Sequence, residues 1–272
     1  MAGPSVIPLS EAEAREILSA KIDNIPIGGQ ALAIWANHYE VAPPSALDAG
    51  ITLDIDFLGT LEEAKATRKK LADAPGTRVD IVPASMDDAT PNSAKLLVRN
   101  FHSRTDPIEI DFLFGLAGYL PPDEALLRER AVEIELDETP VRAMHPVDCL
   151  LSRVRNVERL PEKRGPASIA QCRLAIAVLK AYLTEVCGLG IEAQRRRALK
   201  VVERVAELAQ SNAGIYLKTE FDIDVLDAVP ADRFESQEFQ ERRWPQIQSL
   251  VAGRIATLKR QRERRRKRAK PA

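Results

Sequence analysis

Hydrophobic and polar residues alternate with a period of two in several short segments of the first half of the chain. The clearest is residues 51–58, where Leu53, Ile55 and Phe57 share one side and Thr52, Asp54 and Asp56 share the other. This alternation predicts a strand with one buried face. Similar patterns predict strands over residues 25–27, 78–83, 95–102, 108–113 and 132–136.

Helical patterns lie between these strands. Residues 11–21 begin with a capping-box pattern, in which Ser10 is the N-cap and Glu13 follows three residues later. Ala31, Leu32, Trp35 and Ala36 recur at helical spacing after Gly28-Gly29, and residues 61–74 form a third helical segment. Strands mixed with helices in this order predict a sheet domain of the α+β or α/β type.

The pattern changes after Pro146. Helical periodicity covers residues 147–160, 169–187 and 191–210, and then runs from residue 237 to about residue 267. We therefore predict an α+β protein of two parts, a mixed β-sheet domain over residues 1–145 and a helical bundle over residues 146–272.

Charge is distributed unevenly along the chain. The net charge is −1, but residues 254–270 contain ten Lys or Arg and one acid, so the rest of the chain carries about −10. Such a basic tail is typical of a segment that docks on a polyanion such as RNA, or on the acidic surface of the same protein. Because no aromatic residues are interleaved, base stacking is not indicated, and a solubilising helix end is the alternative.

The remaining composition excludes several classes of protein. The three cysteines, Cys149, Cys172 and Cys187, form no CxxC pair, and the three histidines lack metalloprotease spacing, so neither a disulfide framework nor a zinc site is expected. Residues 1–18 lack the pattern of a secretion signal, and no segment is apolar enough to cross a bilayer. We expect a soluble cytoplasmic protein with no membrane partner.

Three carboxylates are candidates for a metal site. Asp54 and Asp56 are two residues apart on a predicted strand, so their side chains point the same way about 6–7 Å apart. Asp111 lies on another predicted strand, with Glu109 on the same side. If the two strands are neighbours, Asp54, Asp56 and Asp111 form a cluster of hard oxygen ligands that suits divalent ions in phosphoryl transfer.

Gly28 and Gly29 are candidates for a phosphate-binding turn. They lie where a short strand leads into a helix, and the N–H groups and dipole at a helix start favour an anion. Gln30 and Thr52 are expected to line the same nucleotide site. Neither motif is specific alone, because Asp222-Ile223-Asp224 repeats the Asp-x-Asp pattern in the helical half. We interpret that second motif as a solvated turn or a helix cap.

The ordered set of motifs resembles a known family. The segments Ile27-Gly28-Gly29-Gln30-Ala31-Leu32-Ala33 and Thr52-Leu53-Asp54-Ile55-Asp56-Phe57 are similar to those of the AbiEii-type nucleotidyl transferases, which belong to the polymerase-β-like superfamily. The resemblance implies a nucleotidyltransferase fold and transfer of a nucleoside monophosphate from an NTP to an RNA or protein acceptor, with Mg²⁺ or Mn²⁺ as cofactor. It also implies Asp54 and Asp56 as metal ligands, Asp111 as a third acid, and a toxin with an antitoxin protein as partner.

Two alternatives stay open at this point. The block Pro146-Val147-Asp148-Cys149-Leu150-Leu151-Ser152-Arg153 resembles a helical block of the family, but Arg153 stands where the family usually has a lysine. A nucleotidyltransferase fold that has lost catalysis and binds a partner would tolerate this departure. The other alternative is an enzyme that modifies a small molecule, for which the basic tail has no evident use.

Overall fold

A mixed β-sheet of five strands lies at the centre of the first half of the chain in the computed structural model. The structure describes residues 11–19, 24–47, 55–85, 91–104, 106–116, 119, 121–136 and 139–269. The strands are β1 (Ile25–Pro26), β2 (Ile55–Leu58), β3 (Arg78–Pro83), β4 (Asn92–Arg99) and β5 (Ile108–Leu113). Their order is β1-β2-β5-β4-β3, with β2 and β5 parallel and the other neighbours antiparallel.

One face of this sheet is buried and the other is partly open. On β5, Ile108, Ile110 and Phe112 are fully buried, while the alternate residues Glu109 and Asp111 are only partly buried. The helices α2 (Gly28–His38) and α3 (Leu61–Ala72) pack against the sheet and add their apolar residues to its core. The period-two pattern therefore separates core residues from residues on the open face, as the sequence predicts.

Helices dominate the chain after Pro146. They are α5 (Pro146–Arg159), α6 (Pro166–Gly188), α7 (Glu192–Gln210), α8 (Asn212–Phe221) and α9 (Trp244–Ala269). Before them come α1 (Glu11–Ser19), α4 (Pro121–Arg130) and an antiparallel hairpin of β6 (Val132–Leu136) and β7 (Thr139–Ala143). The mixed α/β architecture with a helical second half is thus confirmed. None of the helices described is both long and apolar enough to cross a membrane.

Some predicted boundaries are wrong. The strand predicted over residues 95–102 lies at Asn92–Arg99, because Asn100 and His102 adopt left-handed backbone angles that end it. The last predicted helix begins with a π-helical turn, Phe239–Arg243, which continues into α9. Helices α4 and α8 and strand β7 were not predicted. Ser10, and residues 51–54 of the predicted strand 51–58, lie outside the described residues.

The second Asp-x-Asp motif is a pair of caps, as predicted. Asp222 ends α8 in a left-handed conformation, with φ at 51°, and accepts a hydrogen bond from Lys218 at 2.9 Å. The side chain of Asp224 caps a short 3-10 turn by accepting from the backbone N–H of Leu226 at 3.0 Å.

Helix α2 connects the sheet to the helical half. Trp35 is almost fully buried, and its Nε1 donates to the carbonyl oxygen of Met144 at 2.8 Å. Tyr39 stacks on the Trp35 ring, and its hydroxyl donates to Glu185 on α6 at 2.6 Å. Trp35 is therefore a core residue where α2 meets the helical half. The division of the chain into two domains near residue 145 stays a prediction.

Candidate functional site

The first turn of α2 lies directly beside Asp56. Gly28 has a φ of +65°, and a Cβ at this position would lie 2.5 Å from Oδ2 of Asp56. The preceding residue, Ile27, donates its N–H to the carbonyl oxygen of Asp56 at 2.9 Å. Because side chains rarely adopt this φ and a Cβ would displace the carboxylate, the corner favours glycine. The glycine and the aspartate predicted from sequence are therefore brought together.

Gly29 and Gln30 complete the same turn, and both are buried. The N-cap residue is Ile27, whose side chain has no oxygen that could accept a hydrogen bond from the turn. The backbone N–H groups at a helix start carry a partial positive charge that favours an anionic group, and the nearest one here is the carboxylate of Asp56 beside Gly28. The turn therefore has the polarity that a phosphate group requires.

Asp56 and Asp111 lie side by side on the open face of the sheet. They are direct partners in the parallel register of β2 and β5. Neighbouring strands are about 4.8 Å apart, which puts two carboxylates within reach of the same divalent ion or ion pair. The side chain of Asp111 is 19% exposed, so the pair is open to solvent on one side. The expectation that these two strands are neighbours is confirmed.

Two residues of β4 contact Asp111. Asn92 donates from Nδ2 to Oδ1 of Asp111 at 3.1 Å, and Nζ of Lys95 lies 3.7 Å from the same oxygen. Lys95 also forms an ion pair with Glu109, and it is the direct partner of Asp111 in the antiparallel register of β4 and β5. Neither residue was predicted from the sequence as part of the site. A lysine among the apolar residues of a strand was the available signal for Lys95, whereas nothing in the sequence marked Asn92.

Two predicted site residues, Thr52 and Asp54, lie outside the described residues. Within the described ranges no group of three or more His, Cys, Asp or Glu side chains could hold a metal ion. Asp56 and Asp111 therefore form a pair of carboxylates, and the contribution of Asp54 as a third ligand stays a prediction.

A buried ion cluster lies at the start of α5. The carboxylate of Asp148 is fully buried and accepts two hydrogen bonds from Arg130 at 3.0 Å each and one from Arg204 at 2.5 Å. Burial by itself would raise the pKa of Asp148, but the hydrogen bonds from both guanidinium groups hold the pKa below its usual value. The cluster therefore links α4, α5 and α7 through a carboxylate that stays ionised.

His145 caps the same helix as a neutral ring. Its Nδ1 accepts a hydrogen bond from the N–H of Val147 at 3.1 Å, and its Nε2 lies 3.1 Å from the hydroxyl of Tyr182. Burial lowers the pKa of His145 to about 4. At neutral pH the ring is therefore uncharged and can serve as the acceptor that the helix start needs.

No protein-family model matches this chain, and no curated protein matches it significantly. Function is therefore inferred from the geometry of Gly28, Asp56, Asp111 and their neighbours.

Proposed function

We propose that this chain is a metal-dependent nucleotidyltransferase that moves a nucleoside monophosphate from an NTP to an RNA or protein acceptor. The observation that carries the proposal is the direct pairing of Asp56 with Asp111 on neighbouring parallel strands, beside a helix start where a Cβ at position 28 would displace the Asp56 carboxylate. A nucleotidyltransferase needs two elements in contact, namely carboxylates for a divalent ion and backbone N–H groups for a triphosphate. Both elements meet at this corner.

The carboxylate pair fits Mg²⁺ or Mn²⁺. The ligands are oxygens, which hard divalent ions prefer, and the space beside Asp56 that a Cβ at position 28 would fill is kept open by glycine. Asp56 and Asp111 would hold the metal, with Asp54 as the third ligand that the sequence predicts. When bound, the metal neutralises phosphate charge and makes the acceptor oxygen more reactive. Asn92 orients Asp111 through its hydrogen bond.

The first turn of α2 would bind the donor phosphates. Its N–H groups lie next to Asp56, so phosphate oxygens can contact the turn and the metal ligands at once. Gln30 belongs to this turn, and Thr52 is two residues before Asp54 in sequence. We assign both to the nucleotide-binding part of the site.

The end of α9 supports RNA as the acceptor. Among the side chains of this helix that the structure describes, Val251 is the last buried one, Ile255 is partly buried, and those after it are mostly exposed. The helix continues to Ala269, about 20 Å beyond Ile255 at the usual rise per residue. Most of the ten basic residues lie in this last part of the helix. A polycationic segment favours contact with RNA phosphates, in a manner independent of base sequence and sensitive to salt.

The test is labelling by each α-³²P-NTP in turn, with Mg²⁺ or Mn²⁺ and total RNA, followed by a denaturing gel. We expect a labelled RNA or protein band with the wild type that disappears with Asp56→Asn or Asp111→Asn. The matched control is Asp80→Asn, because Asp80 lies on the same sheet face but pairs with Arg78 and Arg99 at the far strand. Full labelling by Asp56→Asn would overturn the proposal.

Calorimetry separates an enzyme from an inactive fold. An active site should bind an NTP more tightly when Mg²⁺ is present, and Asp111→Asn should remove the difference. A partner-binding protein without catalysis should show no metal-dependent affinity.

If the chain is the toxin of a toxin–antitoxin pair, its expression should arrest growth while expression of Asp56→Asn should not. A co-expressed antitoxin protein should reverse the arrest.

A further inference from the structure

A groove of about 740 Å³ lies where the C-terminal end of α2 meets α6. His38 and Tyr39 line it from the end of α2, and Ala177 and Ala181, which are one helical turn apart, line it from α6. This volume is in the range of small-molecule sites. The length of α2, about 15 Å at the usual rise per residue, separates His38 from Gly28. The groove is therefore separate from the proposed donor site at the start of α2.

The aromatic side of the groove is held in a fixed position. The Tyr39 ring stacks on Trp35, with ring centroids 5.7 Å apart, and the Tyr39 hydroxyl donates to Glu185 at 2.6 Å. Burial and the hydrogen bond to Glu185 raise the pKa of Tyr39, so the hydroxyl stays protonated and keeps this bond. An aromatic side chain that is already ordered loses little entropy when a ligand contacts it.

Two opposite charges line the α6 side of the groove. Lys180 and Glu185 are exposed, and neither forms an ion pair with another residue in the described part of the chain. The charge of Lys180 also acts on Asp227, at a longer range than an ion pair. One carboxylate oxygen of Glu185 accepts from Tyr39, and a carboxylate can accept from further donors. Because they are five residues apart on α6, the two charges are separated by about 7.5 Å along the helix axis.

This pair of charges restricts the chemistry of a ligand. A simple anion would be repelled by the carboxylate of Glu185, and a simple cation would be repelled by the ammonium group of Lys180. The negative end of the α2 dipole adds to the preference for hydrogen-bond donors near His38 and Tyr39. The ligand that fits therefore carries a flat ring, donor groups and a separate anionic group.

We propose that this groove binds a free nucleoside phosphate. The base packs on the aromatic side, since every base has a face that stacks on such rings. The ribose hydroxyls donate to Glu185, as they do to a carboxylate in dinucleotide sites, and the phosphate contacts the ammonium group of Lys180. Such binding requires no transferase activity, because the groove lies about 15 Å from the turn at Gly28.

The test is calorimetric titration of the full chain with AMP, GMP, CMP and UMP in EDTA, which removes the metal that the donor site requires. We expect saturable binding of at least one of these nucleotides, with the same affinity for the wild type and for Asp56→Asn. Lys180→Gln and Glu185→Gln should each weaken this binding about tenfold, as expected for one charge-assisted hydrogen bond. Arg173→Gln is the matched control, because Arg173 is an exposed cation of α6 that does not line the groove.

Analogues of the bound nucleotide assign each contact. The nucleoside, which lacks the phosphate, should bind the wild type about tenfold more weakly than the nucleotide does. In Lys180→Gln the nucleoside and the nucleotide should bind equally. The 2′,3′-dideoxynucleotide, which lacks both ribose hydroxyls, should also bind the wild type about tenfold more weakly, and in Glu185→Gln this difference should disappear.

Three results would overturn the proposal. They are a lack of saturable binding by all four nucleotides in EDTA, binding that disappears in Asp56→Asn, and binding that Lys180→Gln and Glu185→Gln leave unchanged. A loss of affinity in Arg173→Gln as large as in Lys180→Gln would also overturn it, because the cause would then be the general surface charge. None of these measurements depends on nucleotide transfer, so the proposed enzyme activity is tested separately.

Discussion

Replacing Gly28 by alanine tests whether this glycine fixes the position of Asp56. An alanine at a φ of +65° costs about 1 kcal/mol of stability, because its Cβ is crowded in the left-handed region. The new Cβ would also lie 2.5 Å from Oδ2 and 3.4 Å from Cγ of Asp56, whereas real contacts of a Cβ essentially never fall below 3.0 Å. The carboxylate must therefore move by about 0.5 Å or more.

This displacement should affect activity far more than stability. The colliding oxygen is the end of a rotatable side chain, so it can turn away at little energetic cost. A metal site, however, tolerates errors of only about 0.2 Å in its ligand distances. We therefore expect Gly28→Ala to lower the rate of nucleotide transfer about 100-fold, the order of loss that small misplacements of reacting groups produce.

Gly190→Ala is the matched control. Gly190 has a φ of +66°, and a Cβ there would meet no atom within 4 Å. It therefore carries the same backbone penalty without a collision. Urea unfolding should give free energies of unfolding for the two variants that agree within about 1 kcal/mol, while nucleotide labelling and Mg²⁺ calorimetry should detect a loss in Gly28→Ala alone.

Two results would refute the reasoning. If Gly28→Ala transferred nucleotide at the rate of Gly190→Ala, the glycine would not control the carboxylate. If Gly28→Ala were much less stable than Gly190→Ala, the collision would involve more than a rotatable carboxylate, and a lower rate would reflect damage to the fold.

Three further predictions concern the helical half. Asp148→Asn should lower the free energy of unfolding, measured in urea, by about 3 kcal/mol, because it leaves Arg130 and Arg204 beside a neutral amide. An unchanged midpoint of the urea unfolding curve would contradict the stabilising role of this ion cluster. Because the pKa of His145 is about 4 in the folded state and near 6.5 in the unfolded state, only the unfolded state binds the proton between these values. Stability should therefore fall by about 3 kcal/mol as pH decreases from 6.5 to 4, and His145→Asn, which keeps a capping side chain, should flatten this part of the pH profile. Deleting residues 259–272 should weaken RNA binding at least tenfold at low salt in a mobility-shift assay and reduce the salt dependence of binding. The melting temperature should stay within a few degrees, because Val251 and Ile255, which pack α9 against the core, remain.

The sequence was sufficient to predict the parts of the site that depend on local pattern. Alternation along β2 and β5 identified Asp56 and Asp111 as residues of the open face, and the strand–Gly-Gly–helix pattern identified Gly28. What it could not predict was the register, because the pairing of Asp56 with Asp111 depends on how strands far apart in sequence align. Lys95 was missed for the same reason, since its neighbour on β5 is set by the antiparallel register of β4.

The missed helix α8 shows a different limit of sequence patterns. Gly214 lies in its first turn, and a glycine in a short polar segment usually indicates a turn. Here a Cβ on Gly214 would lie 2.2 Å from the carbonyl oxygen of Leu208 at the end of α7. The glycine therefore permits close contact between two helices, and that requirement is visible only in three dimensions. Strand β7 was missed because Pro140 in a short segment argues against a strand by local rules.

The helical half also contributes to the position of the proposed phosphate-binding turn. The backbone of Met144 contacts both ends of the β1–α2 unit, since its N–H donates to Pro26 at 3.2 Å and its carbonyl oxygen accepts from Trp35 at 2.8 Å. Gly28 lies between these two contacts. Met144 leads directly into α5, whose start is held by His145 and Asp148, so the packing of α5 helps to fix the position of the turn that faces Asp56. The acids come from the sheet, but the geometry between them and the turn depends on the packing of the helices.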